Sequence, residues 1–189
     1  MTILTERSTP TPDGINPSRA RDVVRALYSR PPLTASDLSA PLLCLPDGTV
    51  DQDALPGAVQ LSDIAATVAR WTDLGIHGTK LFAFGHDRDK YASGATAPDN
   101  RMIRTIKAVK QAAPTTAVTT EVCSCSWTDH GQCVLRTDSG EIDLEGTYQL
   151  MGSMAVMHAE AGADVCGGSV GRSSVCPCME TGSGAARGC

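Results

Sequence analysis

Between residues 40 and 165 the chain alternates short apolar or β-branched runs with apolar residues at helical spacing, and few folds tolerate that order. Residues 40–45 (APLLCL) form a short buried run closed by the turn residues Pro46, Asp47 and Gly48. Ile64, Val68, Trp71 and Leu74 then recur at helical spacing, with Ser62 placed to cap the helix and Gly75 to end it. Residues 80–84 (KLFAF) read as a second strand. Asp99 or Asn100 can cap a second helix with Met102, Ile103, Ile106 and Val109 on one face, stopped at Pro114. Residues 116–123 (TAVTTEVC) are a β-branched third strand. Asp143 can cap a third helix carrying Leu150, Met154, Met157 and Ala161, and residues 162–165 (GADV) lead into a fourth strand. Connections of this length predict parallel βαβ units, about four of them. A closed (β/α)8 barrel needs eight strands and about 250 residues, whereas this chain has 189. The pattern therefore predicts an α/β fold and leaves two architectures open, a small open sheet or the first half of a barrel.

The flanks read differently. Pro10, Pro12 and Pro17 stand among polar residues with little to bury, and Arg19, Arg21, Arg25 and Arg30 alternate with Val23, Val24 and Leu27 up to Pro31 and Pro32. Residues 1–34 are thus expected to be an N-terminal arm, residues 35–165 the folded domain and residues 166–189 a tail. That tail holds six glycines and four serines but no Leu, Ile, Phe, Tyr or Trp, too little apolar surface to offset its ordering entropy. A net charge of −5 excludes a general nucleic-acid binder. No apolar stretch approaches the ~18 residues of a membrane span, and the first residues, MTILTERSTPTPDG, lack the basic-then-apolar order of a signal peptide. A cytoplasmic protein is expected. There, eight cysteines suggest a metal site before disulfides.

The densest chemistry is EVCSCSWTDHGQC, residues 121–133. If the third strand continues to its end, Cys123 and Cys125, two apart, face the same side. Cys133 returns after a loop containing Gly131 and can supply a third sulfur. Three thiolates with an open fourth position suit a reactive zinc site, the competing reading being three reduced thiols without metal. His130 in the same loop is a ligand, a proton donor or a plain surface residue. His77, His86 and His158 have no partners in sequence and read as structural. Arg101, Arg104, Lys107 and Lys110 read as a solvated helix face, and Met151, Met154 and Met157 as core filler.

At this motif the chain resembles the porphobilinogen synthase (5-aminolevulinate dehydratase) family. The zinc-type branch carries DVCLC-x-YT-x-HGHCG where this chain reads EVCSCSWTDHGQCV. LPGAVQLS (55–62) is similar to the family's MPGV-x-R-LS, and KLFAFG with Lys90 and SGATAP to its LFG…KD…GS-x-A segment. MIRTIKAVKQAAP resembles the helix AI-x-x-IK-x-x-x-P, and AEAGAD (159–164) matches the lead-in to the next strand. The resemblance covers about residues 17–165, the N-terminal half of the family, and implies a partial (β/α)8 barrel of about four βα units. It also implies Zn2+ on Cys123, Cys125 and Cys133, 5-aminolevulinate as substrate, and a homo-oligomer assembled through the N-terminal arm. Family members condense two 5-aminolevulinate molecules into porphobilinogen for tetrapyrrole (heme) synthesis.

The departures bear on activity. The family forms Schiff bases on two lysines in the second half of its barrel, but the only lysines here are Lys80, Lys90, Lys107 and Lys110, so no catalytic residue is assigned. Glu121 replaces the motif's aspartate and Gln132 its second histidine. From Cys166 the family pattern stops, as a shift of reading frame would produce. The chain is thus expected to be a truncated homologue, inactive by itself. The alternative is a non-catalytic zinc-binding or partner-binding module derived from that barrel.

Overall fold

The computed structural model describes residues 21–46, 48, 57–83 and 87–168. Pro10, Pro12, Pro17, His86 and the tail from residue 169, including Cys176, Cys178 and Cys189, lie outside these. The chain divides into two units, the first ending at Leu33. The described part of the first holds a six-residue helix, α1 (Asp22–Leu27), whose Arg25 pairs with Asp22 one turn earlier.

The second unit is built on a parallel sheet. Its strands are β1 (Ser39–Leu45), β2 (Ala58–Gln60), β3 (Gly78–Ala83), β4 (Ala117–Val122) and, after the hairpin strands β5 (Leu135–Arg136) and β6 (Ile142–Asp143), β7 (Val165–Gly168). The order is β2-β1-β3-β4-β7, and β5 pairs antiparallel with β6 in a separate ribbon. Helices α2 (Ile64–Asp73), α3 (Arg101–Ala112) and α4 (Leu144–Glu160) connect β2 to β3, β3 to β4 and β6 to β7. The four expected strands are present and parallel. β2 and the β5–β6 ribbon were not expected, being too short to show a period of their own. The expected boundary at 165 falls inside β7, since Cys166 to Gly168 pair with Thr120 to Val122.

Right-handed crossovers that step the same way, from β2 to β3, β3 to β4 and β4 to β7, place α2, α3 and α4 on the same side of the sheet. Burial alternates accordingly. Leu42 and Cys44 of β1, Leu81 and Ala83 of β3, and Val118 and Val122 of β4 are buried in one core with Ile64 and Val68 of α2, Ile103, Ile106 and Val109 of α3, and Met151 and Met154 of α4. Leu43, Phe82, Thr119 and Glu121, the intervening residues, are only half-buried, and Lys80 is exposed. The methionines are core, as their spacing suggested, with Met157 packed against the same cluster.

Local signals set the boundaries. Asn100 caps α3 by accepting the Ile103 N–H at 3.0 Å, and Asp143 caps α4 by accepting the Gly146 N–H at 2.8 Å. Ser62 does not cap α2. It lies in a 3-10 turn, Leu61–Asp63, that delivers the chain into the helix without a side-chain cap. Gly57, just before β2, has φ +84, where an added Cβ would sit 2.6 Å from the Pro41 carbonyl oxygen, so the pairing of β2 with β1 requires glycine. At the other end of the sheet, Asp164 accepts the Val118 N–H and the Lys110 ammonium, both at 2.7 Å. Burial pushes its carboxyl up, but these two donors and the lysine charge together hold it below the ordinary value. Lys110 is thereby taken out of the solvated stripe. Arg101 also leaves it, donating to the Leu45 carbonyl at 2.9 Å, while Arg104 and Lys107 remain exposed.

His158 on α4 is fully buried behind β4, its Nδ1 3.1 Å from Thr120 Oγ1. Burial pushes it down to about 4 from an ordinary 6.5. The unfolded chain therefore binds a proton between these values that the folded chain does not, so stability falls as pH drops through that window, by roughly 3 kcal/mol in all. Urea unfolding at pH 7 and pH 4.5 should show this loss, and His158→Gln should remove this share of the slope. An identical slope in both proteins would refute the assignment.

Candidate metal centre

β4 ends at Val122, so Cys123 lies just past the strand and the pleat is not what aligns the thiols. In a strand, residues two apart are about 6.6 Å apart along the chain. Here the backbone turns at once: the N–H groups of Trp127 and Thr128 both donate to the Ser124 carbonyl at 2.9 Å. That turn folds Cys125 back until its Sγ is 3.0 Å from that of Cys123, and the Cys125 N–H also points at Cys123 Sγ at 3.4 Å.

Cys133 is brought in by two buried hydroxyls. Ser124 Oγ and Thr128 Oγ1 both donate to the Gln132 carbonyl, at 3.3 and 3.1 Å, and fix the backbone immediately before Cys133. The three Sγ atoms all lie within 4.8 Å of one another. Neighbouring contacts hold the loop from behind. Asp89 and Thr128 form a short parallel bridge, with the Asp89 N–H donating to the Trp127 carbonyl at 3.1 Å. Trp127 is itself buried against Gly94, where an added Cβ would meet the indole at 3.2 Å.

Burial, contact with Cys123 and the nearby sulfur of Cys133 push the Cys125 thiol up to about 12. Three thiolates this close repel one another unless a cation sits between them. Around a tetrahedral zinc, with Zn–S near 2.3 Å, sulfurs are about 3.8 Å apart. The sulfurs here bracket that spacing, so the donor set fits such an ion with modest adjustment.

His130 is exposed and stands outside the sulfur cluster, its Nδ1 accepting the Gln132 N–H at 3.1 Å. The Gln132 side chain turns away to accept from Arg136 Nε at 3.0 Å, tying the loop to β5. Beside Cys123 is a cavity of about 30 Å³ lined by Phe82, Ala83, Met102, Glu121, Cys123, Ser126 and Trp127. None of the four lysines is among them. Lys90 pairs with Asp138, and Lys80 lies mid-strand with its ammonium 5.3 Å from the Phe82 ring centre. Cys44 is buried in the core as a free thiol.

A family model described as delta-aminolevulinic acid dehydratase matches residues 15–173. The chain belongs to the delta-aminolevulinic acid dehydratase family. The Synechocystis enzyme of that name is 35% identical over 160 residues, covering 80% of this chain and 49% of its own. The Escherichia coli enzyme is 28% identical over 152 residues, covering 77% and 46%. The crystal structure of the Toxoplasma gondii dehydratase in complex with the reaction product porphobilinogen superimposes with a TM-score of 0.69 at 26% identity, over 84% of this chain and 47% of that one. This chain therefore spans about half the length of the relatives it matches. The match runs eight residues past the last expected family residue, Val165, into the segment expected to be tail.

Ser124 and Thr128 were missed in the sequence, because what singles them out from Ser126 is their shared acceptor, the Gln132 carbonyl. Thr128→Val and Ser124→Ala should each weaken zinc binding about 10- to 100-fold, as loss of outer-shell support does. Competition against a chromophoric chelator measures this, with far-UV circular dichroism confirming the fold. Unchanged affinity in both variants would mean that the Gln132 tether does not position Cys133.

Proposed function

We propose that these 189 residues hold one zinc ion on Cys123, Cys125 and Cys133 but do not by themselves condense 5-aminolevulinate into porphobilinogen. The observation carrying the first half is the convergence of three sulfurs at one point, a soft donor set that favours zinc over hard cations. When bound, such an ion supplies Lewis acidity toward a substrate in its open position. Cys123 would anchor the ion from the end of β4, while the Ser124 and Thr128 hydroxyls keep Cys133 in reach. Glu121 and Phe82, in the adjoining cavity, would face a small molecule placed there.

The second half rests on the lysines. Imine formation needs an amine in a desolvated pocket, where its pKa falls enough to leave it nucleophilic. Lys90 instead has its pKa raised by Asp138, and Lys107 is exposed on α3. On this reading these residues are a zinc-holding homologue of the family's metal half, and the lysines among them do not supply its amine chemistry. The arm of residues 1–34 would mediate self-association in the cytoplasm, and neither nucleic acid nor membrane would be a partner. No helix among the described residues is long and apolar enough to cross a membrane. The same lysine placement favours the second reading, a non-catalytic zinc- or partner-binding module.

Metal analysis of the reduced protein should give one zinc per chain, lost in Cys125→Ser. Borohydride treatment with 5-aminolevulinate should leave no covalent adduct, and no porphobilinogen should form. Protein without zinc would sink the metal assignment, whereas an adduct on Lys80 or Lys90 would overturn the claim of inactivity.

A further inference from the structure

In the segment between β3 and α3, Asp89 meets the sulfur loop with its backbone and shapes its own chain with its side chain. Its N–H donates to the Trp127 carbonyl at 3.1 Å and its carbonyl accepts the Asp129 N–H at 3.2 Å, so it grips Thr128 from both flanks. Its carboxylate accepts the Tyr91 N–H at 2.7 Å, the Ser93 N–H at 3.1 Å and the Ser93 hydroxyl. Gathering these donors bends the backbone sharply. Ala92, between them, is fully buried at φ +54, a left-handed conformation that is costly for any residue but glycine. Past the bend, the 3-10 turn Ser93–Thr96 sets Gly94 against the Trp127 indole.

We infer that Asp89 is a positioning residue for the three thiols, acting through Trp127 and Thr128 without touching the ion. The N–H groups of Trp127 and Thr128 make the turn on the Ser124 carbonyl that folds Cys125 onto Cys123. The Thr128 hydroxyl holds the Gln132 carbonyl next to Cys133. Both routes to the sulfurs thus pass through the stretch that Asp89 grips. The carboxylate is committed to its own bend and is not among the groups whose ligand atoms converge with the sulfurs. Without it, nothing offsets the left-handed backbone of Ala92. Relaxation there shifts Gly94 relative to the Asp89 backbone and loosens Trp127, which lies against both. Cys125 and Cys133 then lose their fixed placement beside Cys123. As a role toward the ion this rests on the zinc reading of the three cysteines; as a role toward the placement of the sulfurs it does not.

Two measurements on the whole chain test this. One is zinc affinity, by competition against a chromophoric chelator. The other, on reduced metal-free protein, is affinity for phenylarsine oxide, which bonds two thiols at once with release of one water, by competition against a small dithiol. Asp89→Ala should weaken both about tenfold, the low end for loss of outer-shell support. Asp89→Asn keeps an acceptor oxygen for the Tyr91 and Ser93 amides and should stay within about twofold of the unaltered protein. Adding Ala92→Gly to Asp89→Ala should restore about threefold or more of each loss, since glycine holds the bend unaided. If Asp89→Ala costs the fold, as judged by far-UV circular dichroism, Asp89→Ser replaces it, its hydroxyl accepting the same amides more weakly, with an expected weakening of about threefold that Ala92→Gly relieves. Unchanged affinities, or a loss that Ala92→Gly does not relieve, overturn the proposal. So does a loss for zinc alone, which would place Asp89 on the ion rather than behind the sulfurs. Absence of zinc from the unaltered protein would sink the zinc reading and leave the arsenical result to decide the role of Asp89.

Discussion

The handedness of the crossovers governs nearly everything else in this molecule. In the order β2-β1-β3-β4-β7, the helical connections from β2 to β3, β3 to β4 and β4 to β7 all step the same way across the sheet, so α2, α3 and α4 must land on the same side. A doubly wound sheet reverses direction once and covers both faces. Here the parity of a residue along its strand decides its fate. Leu81 and Val118 go to the helices, whereas Lys80, Phe82, Thr119 and Glu121 go to the other face. Beyond β2 at the edge, the parallel strands β1, β3, β4 and β7 follow one another in a single direction across the sheet.

The same geometry explains why the metal centre sits where it does. Parallel strands present all their C-terminal ends along one rim, and the loops leaving that rim are free to carry chemistry. β4 exits there, and its sheet pairing stops before the first cysteine. The chain has no ladder to satisfy its next amides, so it bends into a turn on the Ser124 carbonyl. That bend brings Cys123 and Cys125 together, and the same serine reaches across to the Gln132 carbonyl. One residue thus organises both halves of the ligand set, through its carbonyl on one side and its hydroxyl on the other.

Much of the fold was legible because it obeys local rules. The caps Asn100 and Asp143, the stop before Pro114 and the β-branched run of β4 each carry their own signal, and α2 to α4 all follow a helical period. What was not legible depended on contacts distant in sequence. β2 has three residues, and its strand character comes from the edge of β1 and from the close approach at Gly57. Ser62 had the right chemistry for a cap, but a 3-10 turn placed the helix start after it. The cysteines were found for a partly wrong reason: spacing suggested a pleat, and the sulfurs converge through a turn. The hydroxyl supports could be recognised only once the Gln132 carbonyl was seen between them.

Electrostatics then divides the chemistry of the site. Clustered sulfurs with a Cys125 thiol pushed up to about 12 call for a cation, because only a positive charge makes their shared ionisation favourable. An imine-forming lysine has the opposite requirement, an apolar pocket that disfavours positive charge on the amine. A neighbouring cation also disfavours the ammonium form, but no lysine lines the cavity beside Cys123. Lys90 and Lys110 are paired with carboxylates, Lys107 is solvated and Lys80 rests on an aromatic ring. Of these, Lys90 has its pKa raised, first by its hydrogen bond to Asp138 and then by that carboxylate's charge. On the proposed reading, these residues carry the part of the family's chemistry that gathers thiolates, and none of their lysines lines the cavity beside the sulfurs.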